Sequence, residues 1–113
     1  MILVEGLFDL AVLWQAGFRN TTCAFGTHLS PGQFEQLAQR PGTQVYIAFD
    51  RDENGAGQQA SRHLAQRLEG AGITARMVHL PAGHDPNSYF LAGATAADFA
   101  GLLELAQPQA QPV

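Results

Sequence analysis

At 113 residues the chain is long enough for one domain with a real core and too short for two. Six Arg and no Lys stand against ten acidic residues, a net charge of −4, which excludes strong nucleic-acid binding through the chain's own charge because phosphate neutralisation dominates that affinity. A single cysteine, Cys23, excludes an internal disulfide and a zinc ribbon. No apolar run is long enough for a bilayer span, and the amino terminus, broken by Glu5 and Asp9 without a basic leader, does not read as a signal peptide.

Met1 to Val4 is a short apolar run ending at Glu5-Gly6 and predicts a first buried strand. Leu7, Leu10, Ala11 and Trp14 recur at helical spacing and predict a helix over 7–16, with Gly17 as its stop. Thr21 to Phe25 predicts a second strand. Ser30-Pro31-Gly32-Gln33 has the form of a helix start, Ser as cap and Pro at the first helical position. Phe34, Leu37 and Ala38 give that helix its inner face, and Pro41-Gly42 ends it. Val45 to Phe49 is an unbroken apolar run, the mark of a strand buried on both faces, and it leads into Asp50-Arg51-Asp52. Ala56, Ala60, Leu64 and Leu68 then predict a long helix stopping near Gly70 to Gly72. Thr74 to Leu80 alternates weakly and predicts a fourth strand. Asp85-Pro86 opens a short helix through Leu91, closed by Gly93; Thr95 to Asp98 has the form of a capping box, with Phe99, Leu102 and Leu103 inward. Residues 1–106 form the expected domain, and 107–113 (QPQAQPV) an expected disordered tail or linker.

Strands alternating with helices predict an α/β fold: about four strands in a mostly parallel sheet, covered by helices on both faces, with the ligand site beyond the carboxyl ends of the strands. Residues two apart on extended backbone point the same way, so Asp50 and Asp52 project together. Two carboxylates that close repel unless a cation sits between them, and their hard oxygens suit Mg²⁺ or Mn²⁺. Glu5 ends the first strand, Asp9 lies one helical turn on, and Asp85 follows the fourth strand. Singly, Asp52, Asn54 or Asp85 reads as a helix cap. Their convergence on one rim favours a metal site.

Other motifs carry less. Gly55 to Ala60 matches the G-x-G-x-x-G/A dinucleotide pattern, but Asp50, Asp52 and Glu53 would repel a pyrophosphate, and no acid follows at the ribose-binding distance. A P-loop needs a Lys. The strand-end Asp-x-Asp is also found in haloacid-dehalogenase-type phosphatases, which carry it on their first strand. The four His residues show no metal-ligand spacing.

Four segments, VEGLFDLAVLWQAGF, FGTHLSP, FDRDENGAGQQA and LPAGHDPNSYF, resemble in order and spacing the Toprim domain of bacterial-type DNA primases, over roughly residues 2 to 92. Toprim domains also occur in topoisomerases, old-type nucleases and recombination-repair proteins. The resemblance implies a Toprim-type Rossmann-like fold, with Glu5, Asp9, Asp50, Asp52 and Asp85 on the family's acidic positions. Of these, Glu5, Asp9, Asp50 and Asp52 are the implied catalytic residues, and Glu5, Asp50, Asp52 and Asp85 the implied ligands of Mg²⁺ or Mn²⁺. Two departures stand out: Asn87 where the primase pattern often has a second Asp, and Arg51-Asp52-Glu53 where many primases have a Gly after the first Asp. The implied activity is metal-dependent nucleotidyl transfer for RNA primer synthesis in DNA replication. Its alternatives are a Toprim-type nuclease or topoisomerase-related domain, and a non-catalytic metal- or partner-binding module. The implied partners are nucleotide triphosphates, a single-stranded DNA template and a replicative helicase, in a cytoplasmic setting. A basic subdomain and a zinc ribbon usually precede the domain in primases, so the chain is expected to be an excised or truncated part of the enzyme, inactive or weakly active alone.

Overall fold

The computed structural model describes residues 1–24, 31–39, 44–49 and 56–108. Strands β1 (Ile2–Val4), β2 (Thr21–Cys23), β3 (Gln44–Ile47) and β4 (Thr74–Met77) are separated by helices α1 (Leu7–Gln15), α2 (Pro31–Ala38) and α3 (Ala56–Gly70). Helices α4 (Pro86–Leu91) and α5 (Ala96–Leu105) follow, and a short strand β5 (Gln107–Pro108) comes last. The sheet order is β2-β1-β3-β4-β5; β1 to β4 run parallel, and β5 alone is antiparallel to its neighbour β4.

The strands sort their side chains by the period of two that extended backbone dictates. Leu3 of β1, Val45 and Ile47 of β3, Phe49 beyond it and Ala75 of β4 enter one core, which Leu64, Ala65 and Leu68 of α3 cover and Phe34 of α2 packs against. Ile2, Val4, Ala48 and Val78 enter the opposite core, with Leu13 of α1, Phe99 of α5 and, at its margin, Tyr89 and Phe90 of α4. Helices on both faces are what a run of strands buried on both sides requires. The chain leaves β1 through α1 on one face to reach β2, then returns past β1 through α2 on the other face to β3. The winding therefore reverses between β1 and β3, and the crevice at such a switch point is where open α/β sheets bind ligands.

The carboxyl end of α1 is set locally. Gly17, at φ +102°, lets its N–H bond the Trp14 carbonyl (3.1 Å) and the Phe18 N–H bond the Leu13 carbonyl (2.9 Å), the paired bonds of a Schellman stop. The face that α1 buries differs from the one its apolar spacing predicts. Leu7, Ala11 and Trp14 are exposed and Leu10 is half-buried, whereas Asp9 and Leu13 are the buried pair. The helix is turned so that a carboxylate, not a leucine, lies under its first turn.

Two further differences concern extent. Regular pairing stops at Cys23, Ile47 and Met77, although Ala48, Phe49, Val78 and Leu80 beyond those ends remain buried. Gln107 and Pro108, the first residues of the expected tail, pair with Met77 and Arg76. Proline is tolerated there because an edge strand leaves one side of its backbone unpaired. Arg76 helps hold that corner, donating from Nη1 to the Ala106 carbonyl (3.3 Å) and from Nε to Gln44 Oε1 (3.2 Å). Among the described residues, no helix is long and apolar enough to cross a membrane.

Candidate functional site

Glu5 follows the last residue of β1, at the carboxyl end of the sheet, and is half-buried. Beside it, the Ala48 N–H donates to the Leu3 carbonyl (2.9 Å), so the chain passes beyond β3 immediately next to the end of β1. Phe49, buried, is the last described residue there; Asp50, Asp52, Glu53 and Asn54 lie outside the described residues. On the other side of β1, the buried Cys23 thiol donates to the Glu5 carbonyl at 3.3 Å. Burial pushes this thiol above its ordinary range, and the negative charges of Asp9 and then Glu5 push it the same way. All three residues therefore share one electrostatic neighbourhood.

Asp9 is only 5% exposed, and its Oδ1 accepts the backbone N–H of Asn87 at 2.9 Å. That bond carries α4 onto α1 and brings the Asp85-Pro86-Asn87 segment to the rim where Glu5 stands. Asp85 is the N-cap of α4: its Oδ1 accepts the Ser88 N–H at 2.7 Å, while the Asp85 N–H donates to Ser88 Oγ at 3.1 Å. This reciprocal pair is a capping box with Ser in the place usually taken by Glu or Gln, and Pro86 at the first helical position is buried. Ser88 Oγ also lies 2.9 Å from His84 Nδ1, which extends the network one residue before the cap.

Of the residues expected from sequence, Glu5 stands at the end of β1, Asp9 on α1 is bonded to the Asn87 amide beside the Asp85 cap of α4, and Asp50 and Asp52 lie outside the described residues. Among the described residues no three His, Cys, Asp or Glu side chains form a metal-holding group. The hard carboxylate oxygens of Glu5 and Asp85 nevertheless match the donors that Mg²⁺ and Mn²⁺ select. Sequence reading left out the Asn87 backbone amide, Ser88 and His84. Asp-Pro-x-Ser, a cap with Ser three residues on, was the available signal for Ser88; nothing local pointed to the Asp9–Asn87 bond.

The Toprim-like family model matches residues 2–90. The chain is 39% identical over 88 residues to the DNA primase of Aquifex aeolicus, a match covering 78% of this chain and 17% of that protein. It is 34% identical over 105 residues to the DNA primase of Deinococcus radiodurans, covering 92% of this chain and again 17% of the relative. The crystal structure of the Aquifex aeolicus primase zinc-binding and RNA polymerase domains superposes with a TM-score of 0.81 at 33% identity, over 95% of this chain and 26% of that one. The chain therefore spans less than a fifth of the length of these curated relatives.

Proposed function

The chain belongs to the Toprim-like family, and from that premise we propose that it is the metal-dependent nucleotidyl-transfer domain of a primase-type enzyme, acting in RNA primer synthesis. The observation that carries the reading is the β1/β3 switch point, with Glu5 at the end of β1 and the chain entering Asp50-Arg51-Asp52 from the adjoining β3. Glu5, Asp50, Asp52 and Asp85 would hold the divalent ion, Mg²⁺ or Mn²⁺. When bound, such an ion stabilises charge on phosphate oxygens and lowers the pKa of a coordinated hydroxyl. The chain's own part would be to place those carboxylates: Glu5 stands at the end of β1, β3 leads in sequence toward Asp50 and Asp52, and the capping box holds Asp85 at the start of α4.

Nucleotide triphosphates and a single-stranded DNA template would be the substrates. With a net charge of −4, this chain does not neutralise a strand's phosphates itself. A basic track belongs to other parts of the longer enzyme, as do contacts to a zinc ribbon and a replicative helicase. Replication would place the enzyme in the cytoplasm. The isolated 113 residues should therefore bind nucleotide weakly and make few primers.

A thermal melt tests the metal site. An ion that binds only the folded state stabilises by about 2.7 kcal/mol at a hundredfold excess over Kd. Mn²⁺ should raise the Tm of the wild-type chain by several degrees. Asp50→Asn should lose most of that rise and melt slightly higher without metal, because a repulsion is gone. Equal melts for both proteins with and without Mn²⁺ would refute the site.

A further inference from the structure

The resemblance implies a catalytic role for Asp9, but its surroundings indicate a different one. We propose that Asp9 is a positioning residue: its carboxylate acts as a hydrogen-bond acceptor that locks the Asp85-Pro86-Asn87 segment against the β1–α1 junction, and so sets where Asp85 stands relative to Glu5. The functional consequence rests on the metal-site reading above; the contact itself does not.

Both oxygens of the carboxylate are turned away from open solvent. Oδ1 accepts the Asn87 N–H at 2.9 Å, across 78 residues of sequence. Oδ2 lies back over the start of its own helix, 3.1 Å from where a β-carbon on Gly6 would stand. The side chain is thus wedged between Gly6 and Asn87 at 5% exposure. A carboxylate buried to that degree is tolerable only with its hydrogen bonds made. The partner segment is stiff: Asp85 and Ser88 cap each other, and Pro86 is buried with its φ fixed by its ring. Fixing the Asn87 amide therefore fixes Asp85, two residues away. An outer group that orients a ligand in this way ordinarily changes metal affinity by about 10–100-fold when removed.

Acceptor and ligand roles separate on substitution. In Asp9→Asn the amide oxygen still accepts from Asn87 while the charge is gone; in Asp9→Ala both are gone. Mn²⁺ affinity of the 113-residue chain, measured by electron paramagnetic resonance, should fall roughly tenfold or more in Asp9→Ala and stay closer to wild type in Asp9→Asn. Amide hydrogen exchange of Asn87, followed by NMR, should speed up in Asp9→Ala and remain slow in Asp9→Asn. Loss of affinity as large in Asp9→Asn as in Asp9→Ala, with the Asn87 amide still protected, would make Asp9 a ligand and overturn the proposal. If Asp9→Ala does not fold, Asp9→Asn decides alone by the same two readouts. Should the wild-type chain take up no Mn²⁺, the metal reading fails, and Asn87 exchange still decides the Asp9 contact: protection unchanged in Asp9→Ala would refute it.

Discussion

Gly6→Ala isolates the wedge around Asp9 in a single methyl group. Gly6 sits at φ −120° and ψ 153°, a backbone conformation open to any residue, so alanine meets no torsional strain there. Replacing glycine at a compatible position stabilises by about 0.4–1 kcal/mol through the unfolded chain. Gly6 is also the N-cap of α1, and alanine is the poorer cap by about 0.5–1 kcal/mol. These two effects nearly cancel. What remains is the new β-carbon, 3.1 Å from Asp9 Oδ2 and 3.8 Å from its Cγ, closer than carbon and oxygen normally approach. Asp9 has to shift by a few tenths of an ångström, which distorts its bond to Asn87, one of the charge-assisted kind and itself worth about 1.5–3 kcal/mol. A partial loss gives an expected destabilisation of about 1–2 kcal/mol. Urea unfolding followed by circular dichroism measures it, and a double-mutant cycle assigns it. In an Asp9→Ala background the same Gly6→Ala change should be close to neutral. A Gly6→Ala protein as stable as wild type, or equal penalties in both backgrounds, would show that the carboxylate is not held where the geometry puts it.

Phe99 is fully buried, edge-on to Phe18 at 5.2 Å and tilted over Phe90 at 5.9 Å, so it joins α5 to the turn that follows α1 and to α4. Phe99→Ala should cost about 3–5 kcal/mol in urea unfolding. Phe99→Leu, keeping bulk but losing two ring pairs of about 0.5–1.5 kcal/mol each, should fall between it and wild type; a loss below about 1 kcal/mol for the alanine would contradict this packing. The Cys23 thiol, raised by burial and by Asp9 and Glu5, should resist iodoacetamide in the native protein and react on unfolding. Because its folded pKa lies above its unfolded value of about 8.5, its contribution to stability is complete below that pH and is lost as pH rises through the folded value. Urea midpoints that did not fall between mildly and strongly alkaline pH in wild type relative to Cys23→Ala would refute that sign.

The strands and the faces they bury could be read from sequence because Ile2–Val4 and Val45–Phe49 are apolar without interruption, and alternation then assigns each residue to one core or the other. The orientation of α1 could not. Its apolar residues mark a stripe through Leu7 and Trp14, and the buried bond from Asn87, which no local pattern announces, accepts Asp9 on the inner face. Hydrophobic periodicity presumes that the inner face is apolar, and it fails where a helix spends that face on a carboxylate. The pairing of Gln107 and Pro108 was hidden for a different reason. Two residues contain no alternation, and what holds them is the β4 ladder and Arg76, which lie about thirty residues away in sequence. Asp85 was legible as a cap, since Asp-Pro is a local signal, but the docking of its segment on α1 depends on a contact between distant segments.

The place of β1 in the sheet also bears on how the chain assembles as it is made. This strand is sequentially first yet spatially between β2 and β3, and its register with β3 extends to Met1, whose carbonyl accepts the Tyr46 N–H at 2.8 Å. On a ribosome adding about 5–20 residues per second, the roughly forty residues that separate β1 from β3 take about two to eight seconds to appear. During that interval α1 and β2 can dock on β1 and cover Ile2 and Val4, because they follow it closely. Leu3 points to the other side, where most of its core comes from β3 and α3, and Phe34 of the earlier α2 packs only against the cluster's margin. The nascent protein thus passes through a stage in which α1 and β2 cover part of one face of β1 while the other face still lacks β3 and α3. A pause in translation before residue 44 would prolong that stage and lengthen the exposure of Leu3 to chaperones or to another unfinished chain.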